Sequence, residues 1–145
     1  MQRAVILLTL VALVVVAAGC GGGGSSSSSQ LSASEFQSKA NAICSDHKVK
    51  TQNMTSAQDF DAALKATNET FRRLNALNPP ASMKAKYQAY LDSLDAGISI
   101  LTKLVKAADN NDLAQAAKLA PQAALHIRQS QAAARAVGLH VCAEA

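Results

Sequence analysis

Residues 83–108, MKAKYQAYLDSLDAGISILTKLVKAA, carry the most regular pattern in the chain. Met83, Tyr87, Tyr90, Leu94, Ile98, Leu101, Val105 and Ala108 recur at steps of three and four. That rhythm puts one apolar stripe along an α-helix and leaves Lys84, Lys86, Asp92, Asp95 and Lys103 outside it. A stripe this long needs partners with stripes of their own. Gly97 interrupts it at a cost of about 1 kcal/mol relative to Ala, and its missing side chain leaves room for a neighbouring helix.

Reading back toward the N-terminus, Pro79 disfavours a helical residue before it, so the preceding helix is expected to stop at Asn78. Pro80 suits the first turn of the next helix. The preceding helix opens at Ser56-x-x-Asp59 and places Phe60, Leu64, Thr67, Phe71 and Leu74 on a narrow seam. Before it, Ser32-x-x-Glu35 forms a capping box. Phe36, Ala40, Ile43 and His47 follow as a core stripe with Cys44 beside Ile43, while Lys39, Asp46 and Lys50 fall away from it. Reading forward, Asn110-Asn111-Asp112 breaks the long helix and recaps a fourth over 113–137. Its expected core stripe is Leu113, Ala117, Ala120, Ala124 and Ile127, with a kink at Pro121 and a left-handed stop at Gly138. Short links between long amphipathic helices predict an all-α, up-down-up-down four-helix bundle spanning residues 32–145.

The first residues differ in kind. Arg3 precedes the apolar run 4–18, broken only by Thr9. As a helix that run spans roughly 22 Å, short of the ~30 Å hydrocarbon core, and small residues follow it at once. These features predict a signal peptide over 1–19; the competing reading is a permanent N-terminal anchor helix. Ala17-Ala18-Gly19-Cys20 resembles the lipobox of bacterial lipoproteins, with Ala17 where such boxes most often carry leucine. The resemblance implies cleavage between Gly19 and Cys20 and a diacylglycerol, with palmitate-type chains, on the Cys20 sulfur. Two acyl chains anchor stably where one binds reversibly. Residues 20–31, with Gly21 to Gly24 and Ser25 to Ser29, read as a tether with an r.m.s. reach of roughly 15–18 Å. The expected location is therefore the extracytoplasmic face of a cell membrane, held by lipid.

In an exported chain the two remaining cysteines, Cys44 and Cys142, are expected to form a disulfide. Such a bond closes nearly the whole domain and is worth up to ~4.7 kcal/mol by chain-entropy arithmetic. The tail after Gly138 must then fold back along the bundle; four extended residues reach roughly 13 Å. A rival reading gathers Cys44 with His47 and Cys142 with His140 as a Cys2His2 metal set. The half-motifs Ala40-Asn41-Ala42-Ile43-Cys44 and Gly138-Leu139-His140-Val141-Cys142-Ala143 also resemble small helical lipoproteins of high-GC Gram-positive bacteria. That resemblance implies the helical fold and the disulfide, and no mechanism.

Net charge is +4, Arg3 included, with the signs interspersed and no Trp, which does not suit nucleic-acid binding. No Ser-His-Asp order stands out. Asp92 and Asp95, three apart, read as a solvated helix face, so no enzyme activity is expected. The layout also resembles the periplasmic four-helix b-type cytochrome, in which a Met early in helix one and a His on helix four hold haem; His126 matches the second, but Phe36 and Gln37 stand where the Met belongs. The expectation is a tethered module, without a cofactor, that binds a protein or small molecule in a groove between helices three and four. Gly97, Tyr87 and Tyr90 line that groove. Metal or haem binding and a structural envelope role are the alternatives.

Overall fold

The computed structural model describes residues 30–54 and 59–144. Residues 1–19, Cys20, the Gly/Ser run to Ser29 and the Ser56 cap lie outside the described residues. The described chain is all-helical: α1 Ala33–Thr51, α2 Phe60–Asn75, α3 Ala81–Asp109 and α4 Leu113–Val137. Each helix packs on its neighbour in sequence, and α3 with α4 makes the most extensive pairing. Among the described residues no helix is long and apolar enough to cross a membrane.

The helix ends follow local chemistry. The Ser32 hydroxyl accepts from the Glu35 N–H (3.3 Å), and the Glu35 carboxylate accepts from the Ser32 N–H (3.0 Å). The Ser32 hydroxyl also donates to that carboxylate, which holds Glu35 below its ordinary value. α2 stops at Asn75, three residues short of the expected Asn78. The chain turns there because the Tyr87 hydroxyl donates to the Leu74 carbonyl (2.7 Å) while the Leu77 N–H takes the same oxygen (2.9 Å). Pro80 sits just before α3 with an extended ψ of 148°, so Ala81 begins the helix. Gln30 and Leu31 lie against this link: the Gln30 amide donates to the Pro79 carbonyl (3.1 Å), and Leu31 packs on the core.

α3 and α4 end alike. Asn111 (φ 53°) and Gly138 (φ 79°) each take the left-handed conformation. After each, two N–H groups reach back: Asp112 to the Ala107 carbonyl and Asn111 to Ala108, Leu139 to Ala134 and Gly138 to Arg135. This is the Schellman arrangement, which satisfies carbonyls the helix leaves open. Asp112 then caps α4 by accepting from the Gln115 N–H (2.9 Å).

The core gathers at one end of the molecule, where Phe36, Leu74, Tyr87, Ala134 and Leu139 are almost wholly buried. The Phe36 and Tyr87 rings meet edge to face, with centroids 4.7 Å apart. Phe36, Ala40, Ile43 and Cys44 of α1 are buried as expected. The expected stripe of α4 is not. Leu113 is 78% exposed and Ala117 and Ala120 face solvent, while Ala124 is half-buried and Ile127, 55% exposed, touches the interior only at the edge of a cavity. The buried face instead runs through Leu119, Ala134 and Val137, with Ala123, His126 and Ser130 half-buried between them. Alanine occurs on every side of α4, so apolar periodicity does not single out a face. α4 runs from Leu113 to Val137 with Pro121 inside it.

Cys44 and Cys142 form a disulfide across a sequence separation of 98, with Cα atoms 5.0 Å apart. The tail that carries Cys142 is coiled rather than extended, with turn bonds from Ala143 to Leu139 and from Glu144 to Val141. No long climb is needed, because α4 ends beside α1. The Gln37 amide donates to the Val137 carbonyl (3.1 Å), and the Asn41 side-chain oxygen accepts from the Val141 N–H (3.1 Å). With Cys44 and Lys48, which lies 3.9 Å from Glu144, these residues form a stripe of tail attachments along α1.

Candidate functional site

Beside the tight core end, and sharing Leu74, Tyr90 and the disulfide with it, the helices frame a partly open cavity of about 250 Å³. It lies where the upper half of the α2 seam and the middle of α3 meet α4, with the disulfide as part of its wall. Phe71, Leu94, Ile98 and Leu101 make its lining mostly apolar. The volume exceeds the ~150 Å³ that suffices for a benzene ring in an apolar protein interior.

The polar lining consists of hydroxyls and imidazoles, with Tyr90 of α3 and His47 of α1 among them. Thr67 and Thr70 come from α2, Ser93 from α3, and His126 and Ser130 from α4; no Asp, Glu, Lys or Arg lines the space. Several of these groups are satisfied within the protein. The Thr67 hydroxyl donates to the Ala63 carbonyl (2.8 Å), and the Ser130 hydroxyl to Ile127 (2.9 Å). Thr70 Oγ1 lies 3.2 Å from His47 Nδ1. Burial pushes His47 below its ordinary imidazole value and outweighs a hydrogen bond to the Ala66 backbone that raises it, so this ring is neutral near neutral pH. Two groups differ. Ser93 Oγ and His126 Nδ1 are buried and have no hydrogen-bond partner in the protein. Buried polar atoms without partners are uncommon and each calls for an explanation.

Gly97 sits opposite His126. A Cβ built on it would lie 3.6 Å from the His126 Cβ, an ordinary van der Waals separation. The close approach of α3 and α4 therefore does not depend on glycine here, contrary to the expectation. Gly97 and Tyr90, expected on a groove between helices three and four, lie on the wall of this cavity, but α1 and α2 line it as well. Tyr87 is not on that wall; its ring packs on Phe36 and its hydroxyl serves Leu74. Burial raises the hydroxyls of both tyrosines above the usual phenol range.

The groups of the alternative metal set are dispersed. The two sulfurs are bonded to each other, His47 turns to Thr70 and His140 is exposed. Among the described residues no cluster of three or more His, Cys, Asp or Glu side chains is arranged to hold a metal ion. Cys20 lies outside the described residues. Ser93 and Ser130 escaped the sequence reading because each interrupts an apolar stripe as a lone small hydroxyl. The spacing of His126 and Ser130, one turn apart on a single face, is the signal that was available.

Comparison with protein families, with curated proteins and with solved structures finds no match to this chain.

Proposed function

We propose that this chain is a lipid-anchored extracytoplasmic lipoprotein whose up-down-up-down bundle binds a small molecule in the cavity between its helices. The single observation that carries the binding reading is the cavity itself, larger than a benzene ring requires and lined by two residues, Ser93 and His126, that each hold a buried polar atom with no partner in the protein. Concave, mostly apolar sites with a few placed polar groups are where small ligands bind. The short links and the pairing of each helix with its neighbour in sequence support the up-down order.

The anchor rests on the sequence of residues 1–29: the apolar run, Ala17-Ala18-Gly19-Cys20 and the Gly/Ser stretch. A disulfide in the domain accords with an oxidising compartment. Cleavage before Cys20 with acylation of its sulfur places the domain on a short tether at the membrane surface. Its role there is capture or presentation of a ligand rather than catalysis.

Native mass spectrometry of the chain taken from its own membranes tests the binding reading. A small molecule is expected to travel with the wild-type chain and to be lost from Gly97→Leu, which fills the cavity. A wild-type chain that neither retains nor takes up a small molecule contradicts it. Cys20→Ala is expected to move the protein from the membrane to the soluble fraction; retention in the membrane contradicts the lipid anchor.

A further inference from the structure

Resting on the cavity reading just given, we infer that the ligand is an uncharged, mainly apolar small molecule bearing a hydroxyl group, which hydrogen-bonds Ser93 Oγ and His126 Nδ1. Three observations lead to this class. First, no Asp, Glu, Lys or Arg side chain lines the cavity, so an ionised ligand would lose its water without gaining a permanent counter-charge. Second, the apolar wall of Phe71, Leu94, Ile98 and Leu101 favours a hydrocarbon body. Third, the only buried side-chain atoms without partners among the described residues, Ser93 Oγ and His126 Nδ1, both belong to residues that line this same space.

The chemistry of these two atoms selects a hydroxyl over other neutral groups. Ser93 Oγ both donates and accepts. His126 Nδ1 donates in one tautomer and accepts in the other. A ligand hydroxyl likewise does both, so it can serve the pair whichever tautomer is present, whereas an ether or ketone only accepts. The other polar lining groups are less free to bind: Thr67 and Ser130 donate to carbonyls of their own helices, and His47 is engaged with Thr70. Ser93 lies one turn from Gly97 on α3, and Gly97 faces the His126 side chain, so both residues stand at the α3–α4 side of the cavity.

A series of one shape with different polar ends tests the inference: toluene, benzyl alcohol, benzoate and benzylammonium, titrated calorimetrically into the full oxidised chain. Benzyl alcohol is expected to bind more tightly than toluene, and the two ions not to bind measurably. Ser93→Ala is expected to weaken benzyl alcohol by roughly fivefold to tenfold and to leave toluene unchanged; His126→Phe is expected to erase the preference of alcohol over toluene. Binding of benzoate or benzylammonium as tight as that of benzyl alcohol would overturn the uncharged class while leaving the cavity reading intact. An alcohol-to-toluene ratio unchanged in both variants would overturn the role of the two atoms. If no member of the series binds, toluene included, the cavity reading itself fails along with the inference.

Discussion

Tyr87 shows how one side chain fixes two junctions. Its ring seals the core against Phe36, and its hydroxyl ends α2 by occupying the Leu74 carbonyl. Tyr87→Phe keeps the ring and leaves that carbonyl with one partner fewer, so a loss of about 1–2 kcal/mol is expected in urea unfolding. His47 is the residue whose protonation matters. Its value in the fold lies below the ordinary 6.5 because burial disfavours the charged ring. Between those two values the unfolded chain binds more protons than the folded one. Stability is therefore complete above the ordinary value, falls as pH drops through the window and levels off beneath it. Thermal midpoints measured across mildly acidic pH should show this decline, and His47→Gln should flatten it; an unchanged slope in the variant contradicts the assignment. The sequence placed His47 on the core stripe correctly, but its partner Thr70 is a contact between helices that no local pattern encodes.

At the scale of the element, helix ends were more legible than helix faces. The Ser32 box, the Asn110-Asn111-Asp112 break and the Gly138 stop depend on chemistry within a few residues, and each is found where the sequence puts it. The end of α2 was misjudged because Tyr87, thirteen positions along the chain from Leu74, decides it. The face of α4 was misjudged because alanine marks no side, and only packing against the other helices selects Leu119, Ala123 and His126 over Leu113, Ala117 and Ala120. Gly138 offers a sharp test. It holds φ 79°, and an added Cβ would fall within van der Waals overlap of the Gln37 amide that bonds Val137. Gly138→Ala should therefore cost more than about 1 kcal/mol, measured by chemical denaturation. Gly97→Ala should do the reverse and raise the thermal midpoint, through a gain of up to about 1 kcal/mol in helix propensity with no clash at His126. A loss of stability there would show that the α3–α4 approach is tighter than the geometry indicates.

For the whole molecule, the disulfide and the cavity are parts of one arrangement. Cys44 and Cys142 join the two ends of the domain and stand in the cavity wall, and Gln37, Asn41 and Lys48 hold the same tail along α1. The exposed pairs Arg73–Asp46 and Lys50–Glu69 between α1 and α2 are expected to add only ~0–1 kcal/mol each, so they contribute far less than the cross-link. Reduction should lower the unfolding free energy by up to ~4.7 kcal/mol. The cysteine pair and the four helical segments were readable from composition and periodicity. The cavity was legible only in part: a groove at Gly97 was expected between α3 and α4, whereas the share of α1 and α2 in its wall depends on contacts between helices that no local pattern encodes. Amide chemical shifts recorded as toluene is added to the oxidised chain test the central claim most directly. Shifts confined to the cavity wall are predicted, at Thr67, Thr70 and Phe71 of α2, Ser93, Gly97 and Leu101 of α3, and Ala123, His126 and Ser130 of α4; no response, or one centred on the exposed side of α4 around Leu113 and Leu125, would contradict it.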